Sequence, residues 1–173
     1  MPNNIDDLAK HLDSISRAIT ALSKRRLLLG VVKNDSSKSL DNNALGWLFE
    51  FGSPEVHIPA RPFLFPTLRN NAAYIAAAFM QAMQHALTGN TEEVDRTLSA
   101  LGMTLTERLR AYILAGIAPP LSKSTLRKWI IARIPGKRVK YLKGTGKRRS
   151  DYGETPLVVT GEFLQSLGYI LEK

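Results

Sequence analysis

Proton transfer or metal ligation would start from the three histidines, His11, His57 and His85. None is spaced from another histidine or a carboxylate in a way that builds a zinc or di-metal site. Cysteine is absent, which excludes a thiol nucleophile, a disulfide scaffold, an iron–sulfur site and cysteine-ligated zinc. No Gly-x-Ser-x-Gly elbow exposes a serine. The run Gly144-Thr-Gly-Lys147 looks like a phosphate loop. It lacks the upstream glycine and the hydroxyl residue after the lysine that such a loop needs. The acids sit at expected helix starts: Asp6, Asp7 and Asp13 in one, Glu92, Glu93 and Asp95 in another. Placement against a helix dipole explains them better than acid–base pairing does. The chain is read as a non-enzyme, with no catalytic residue, no metal site and no cofactor.

The residues with visible chemistry are basic. The 173-residue chain carries a formal charge of +9. Between Lys123 and Arg149 there are 11 basic residues and no acid, which leaves 13 basic against 15 acidic residues elsewhere. Trp129 and Tyr141 interleave with them. Such a stretch can neutralise phosphates and stack on bases, grip an acidic protein surface, or be solvated. Its candidate contacts with DNA or an acidic partner are Lys137, Arg138, Lys140, Lys143, Lys147, Arg148 and Arg149. No signature of a nucleic-acid-binding fold accompanies it.

The elements that must carry these residues follow from periodicity. Ile5, Leu8, Leu12, Ile15, Ile19 and Leu22 lie on one face of a helix over 5–22, read mainly as packing on a core, with partner binding as the second reading. Leu27–Val32 is a branched, apolar run that predicts a strand. A helix follows from Ala44 to Phe51, capped by Asp41 or Asn42 and stopped by Gly52. Val56–Pro66 holds three prolines, so it is extended and semi-rigid, with a possible strand at Val56–Ile58. Pro66 opens a long helix to Leu87, with Leu68, Ile75, Phe79, Met80, Met83 and Leu87 inward. Asn90 and Glu93 have capping-box spacing for the next helix, which turns Val94, Leu98, Leu101, Leu105, Leu109 and Ile113 inward. Gly102 predicts a weak point or kink in its middle. A short helix capped by Ser122 and a flexible basic loop or insertion over 135–155 come next. The chain closes with a strand at Leu157–Val159, a short helix holding Phe163, Leu164 and Leu167, and a strand at Tyr169–Leu171. These readings give one α+β domain over 1–173, a small, mainly antiparallel sheet packed with four or five helices around a long helical middle. No apolar segment reads as a leader or membrane span, since the longest uncharged run, Asn70–Thr91, is too polar. A cytoplasmic protein, or one built into something assembled there, is expected.

Three blocks together resemble the tailed-phage virion-morphogenesis proteins, a family that includes tail-completion and head–tail joining proteins. They are FEFGSPEVHIPARPFLFPTLR from Phe49, APPLSKSTLRKW from Ala118 and TPLVVTGEFLQSLGYIL from Thr155. The matching residues are Glu50, Phe51 and Gly52, then Ile58–Leu64, Pro119–Thr125, Pro156, Leu157, Thr160, Gly161, Leu164 and Ser166. The sequence departs from the pattern at Phe163, where leucine is common, and in its Gly102 helical region and basic insertion.

The resemblance implies a structural protein of the virion neck or tail end, assembled in the host bacterial cytoplasm. It implies a homo-oligomer, a hexameric ring, that completes the tail and joins it to the head-side connector. Its implied partners are the connector or stopper protein and the tail tube or terminator, with possible non-specific DNA contact in the lumen and no membrane. Candidate inter-subunit contacts are Ile58, Pro59, Arg61, Pro62, Phe63, Leu64 and Phe65. Arg61 is the expected ion-pair partner of a neighbour's carboxylate. The alternative is a cytoplasmic nucleic-acid-binding module using 123–149.

Overall fold

A computed structural model describes residues 5–32, 41–120 and 162–173. Helix α1 (Ile5–Ser23) leads into strand β1 (Arg26–Val31), then α2 (Asn42–Phe51), a 3-10 turn (Pro54–Val56), α3 (Leu64–Asn70), α4 (Ala72–Leu87) and α5 (Thr91–Leu114). After the undescribed 121–161, α6 (Glu162–Ser166) runs directly into β2 (Leu167–Glu172). The two strands pair antiparallel, with Leu28 opposite Ile170 and Gly30 opposite Gly168. The described fold is therefore mostly helical with a small antiparallel sheet, an α+β arrangement. The expected strand at Leu157–Val159 and the helix capped by Ser122 lie outside the described residues.

Helix α5 is the axis. Asn90 caps it by accepting the Glu93 N–H at 3.2 Å, and Val94, Leu98, Leu101, Leu105, Leu109 and Ile113 are all buried along it. Its start packs with Ala18 of α1 and Ala82 and Ala86 of α4. Its end packs with Phe63, Phe163, Leu164 and Leu167. The helix is continuous through Gly102, where a kink was expected. That glycine serves packing: a Cβ there would lie 2.4 Å from Cδ2 of Tyr169 on β2.

Three expectations are corrected. The expected strand at Val56–Ile58 is a 3-10 turn closed by a single bridge between Ser53 and Ile58. Pro54 at its start has no N–H to offer a ladder. The helix expected from Pro66 to Leu87 is two helices, α3 beginning before Pro66. The break falls at Asn71, whose side-chain amide takes the Thr67 carbonyl at 2.7 Å. Its backbone N–H turns to Leu68 at 3.2 Å instead, the competition asparagine offers a helix. Finally, Phe79, Met80 and Leu87 are exposed, and the buried residues of α4 are Ala82 and Ala86. Alanines let α1 and α5 approach α4 closely, and that excludes the larger side chains from the seam.

The stripe on α1 also lies differently. Ala18 is buried and Leu22 half-buried against the core, but Leu8, Leu12, Ile15 and Ile19 are exposed. Packing on α4 uses the alanine side of the helix, leaving the aliphatic side open.

Candidate interaction face

Helix α2 turns the usual burial rule over. Asp41 caps it by accepting the Ala44 N–H at 2.6 Å, and Asn42, Gly46 and Glu50, four residues apart, face inward. Trp47 and Phe51, each one position further round the helix, are 69% and 55% exposed. Glu50 has a specific task. Its carboxylate accepts the N–H groups of Phe63 at 2.8 Å, Leu64 at 2.9 Å and Phe65 at 3.1 Å. These are donors at the start of α3 that no helical carbonyl can reach. A negative charge there also suits the helix dipole. One buried acid thus fixes the whole Phe63–Phe65 turn.

Gly52 fixes the stretch of chain that leads to the Phe63–Phe65 turn. Its φ is +72°, and a Cβ would meet the Ala60 nitrogen at 2.6 Å and the Ile58 oxygen at 2.8 Å. Only glycine allows this approach of backbone to backbone. The Arg61 N–H then donates to the Phe49 carbonyl at 2.6 Å.

Arg61, expected to meet a neighbour's carboxylate, turns into its own chain. It is buried, and its Nε donates to the Pro119 carbonyl at 2.8 Å and Nη2 to the Pro120 carbonyl at 3.3 Å. Burial lowers its pKa from the ordinary arginine value. Its five donors suit two adjacent carbonyls. The other expected contact residues divide. Phe63 is core at 4% exposure, Ile58 and Leu64 are half-buried, and Pro59, Pro62 and Phe65 face outward.

The closing block joins the same unit. Phe163 stands edge-on to Phe49 at 5.2 Å and to Phe63 at 5.6 Å. Ser166 donates from Oγ to the Phe163 carbonyl at 2.7 Å, and its own carbonyl accepts the Val32 N–H at 2.8 Å. From α5, Arg110 holds the α6–β2 junction, donating to the Leu164 carbonyl at 3.1 Å and the Leu167 carbonyl at 2.6 Å.

What this scaffold presents is aromatic. Trp47 and Phe51 lie 4.8 Å apart, and Phe51 and Phe65 6.4 Å apart in an edge-on pair. They border a shallow groove of about 280 Å3, with Gly30 and Gly46 on its wall. Sequence reasoning did not single out Trp47 or Glu50 as contact or scaffold. The four-residue spacing of Trp47 and Phe51 against Gly46 and Glu50 was the available signal.

His11 and His57 are exposed and His85 is half-buried. Among the described residues no three His, Asp or Glu side chains come together to hold a metal ion. No helix of the described residues is long and apolar enough to cross a membrane. Lys137, Arg138, Lys140, Lys143, Lys147, Arg148 and Arg149 lie outside the described residues. Compared with family models, curated proteins and solved structures, the chain finds no match.

Proposed function

We propose that the chain is a structural subunit of a tailed-phage virion, a tail-completion or head–tail joining protein. It assembles as a ring at the neck or tail end and works by docking, without catalysis. One observation carries this reading. Three blocks far apart in sequence, the same three that resemble the family, meet as one unit: Glu50 on the Phe63–Phe65 amides, Arg61 on Pro119 and Pro120, Phe163 between Phe49 and Phe63. That unit holds its backbone with buried polar groups and offers aromatic side chains outward, as a docking component requires.

Removing the chain from a phage genome that encodes it should leave filled heads and separate tails, rescued by a supplied copy. Infectious particles made without it would contradict the proposal. The local run of 11 basic residues favours a nucleic-acid-binding module as the second reading. That reading requires DNA affinity that falls steeply with salt, with a logarithmic slope of about −0.9 per phosphate contacted.

A further inference from the structure

Among the apolar surfaces that the described residues leave open, two are unlike in shape. One is a ridge, the α1 stripe of Leu8, Leu12, Ile15 and Ile19, 46–59% exposed. The other is the groove bordered by Trp47, Phe51 and Phe65, 55–69% exposed. We infer that they are the two halves of one contact: the α1 ridge of one copy seats in the aromatic groove of the next, head to tail. This rests on the reading that the chain assembles with itself and names the surfaces that do it.

Shape, area and charge agree. The ridge runs about 16 Å along the helix from Leu8 to Ile19, and the groove is open and walled in part by glycines. Scaled by exposure, the four aliphatic side chains and the three aromatic ones each offer about 400 Å2 of apolar surface, the size at which patches on single chains become functional. Joined, they form an apolar centre of about 800 Å2, which a polar rim extends toward the 1,600 Å2 or so of a stable contact. Among the described residues, the charged side chains on each side have partners. Along α1, Lys10 pairs with Asp7 at 3.9 Å and Arg17 with Asp13 at 3.0 Å. In the groove, Glu50 is spent on three backbone amides.

A symmetric contact of ridge on ridge would close as a dimer and leave the aromatic groove in water. Pairing ridge with groove covers both surfaces with one operation and leaves one free ridge and one free groove at the ends, so it propagates or closes into a ring.

The full-length chain tests this through two variants, Ile15→Glu on the ridge and Trp47→Glu in the groove, by analytical ultracentrifugation. Both positions are exposed, so each variant should keep the wild-type circular dichroism and, at concentrations where the wild type is itself monomeric, its melting temperature. Each alone should lose self-association by at least about 100-fold, as loss of a central anchor does. The equimolar mixture should form heterodimers and nothing larger, because it restores a single intact interface. Either variant assembling like wild type overturns the interface but leaves the virion reading standing. A mixture that stays monomeric overturns the head-to-tail pairing, and a melting temperature that Trp47→Glu or Ile15→Glu lowers even at concentrations where the wild type is monomeric shows that the chain's own residues cover the surface. A wild type monomeric at every concentration overturns the inference as well, whereas the virion reading is decided separately by the heads and tails made without the chain.

Discussion

The part of the molecule around α2, α3 and α6 and the part around α1 and α4 both rest on α5, but different forces hold them. In the first, buried polar groups fix the backbone: Glu50 on three amides, Arg61 on two carbonyls, Gly52 against the Ile58–Ala60 chain. In the second, small side chains do the work, with Ala18, Ala82 and Ala86 letting three helices close up. Each solution pushes large apolar groups outward, Trp47 and Phe65 in one, Ile15 and Met80 in the other. A segment without regular structure needs directed bonds to hold it, because it cannot satisfy its own amides. Helices satisfy theirs internally and need only a smooth seam. The first part should therefore break through its polar atoms and the second through volume.

The largest expected effect tests the polar side. Glu50→Ala leaves buried donors without an acceptor and should cost about 3 kcal/mol in urea unfolding. Gly52→Ala, strained at φ +72° and pressed on Ala60, should cost a similar amount, about 3 kcal/mol. If both variants unfold like wild type, the first part is held by its aromatics and the comparison fails.

Next comes the packed side. Gly102→Ala should cost about 2 kcal/mol, because the added methyl drives the Tyr169 ring off α5. Pairing it with Tyr169→Ala should relieve the clash while exposing the cost of the lost ring, so the double variant falls short of the sum of the two single losses. Additive losses would mean that ring and glycine do not meet.

An ion cluster sits at the end of the sheet that follows α1. Asp95 at the start of α5 accepts from Arg25, ahead of β1, at 2.5 Å and from Lys173, after β2, at 2.6 Å. The Arg25 hydrogen bond is the main cause that lowers its pKa, burial opposes, and Lys173 adds to the lowering. A carboxyl lowered on folding contributes stability above its unfolded pKa and loses it as pH falls through the folded value. Asp95→Asn should therefore cost about 1 kcal/mol at neutral pH. The gap to wild type should hold down to about pH 4 and close below it. A gap that persists in acid would assign the effect to packing.

The smallest stability effect belongs to the open aromatic face. Trp47→Ser should change unfolding by less than about 0.5 kcal/mol, as exposed positions do. A loss of 2 kcal/mol or so would place the ring in a core and remove the contact surface.

Much of this fold could be read from sequence because strong periodicity survives folding. The inward row of α5, the caps at Asp41 and Asn90, and both strands lie where residue patterns put them. What could not be read depended on partners distant in sequence. Nothing near Arg61 says that Pro119 and Pro120 will need its donors. Nothing near Gly102 says that a tyrosine 67 positions later will lie on it. The α1 and α4 stripes misled for another reason: alanine is weakly apolar by count, yet it sets which helix faces can touch. The Pro-rich block was recognised as special, as a contact arm; Arg61 and Phe63 in it turn into their own chain, while Pro59, Pro62 and Phe65 face outward.

The most direct measurement of the central claim is the position and copy number of the chain in an imaged phage particle. A ring of copies at the junction of head and tail or at the tail end, each with Trp47 against its neighbour, is the expected result. A complete particle in which the chain is absent would contradict it.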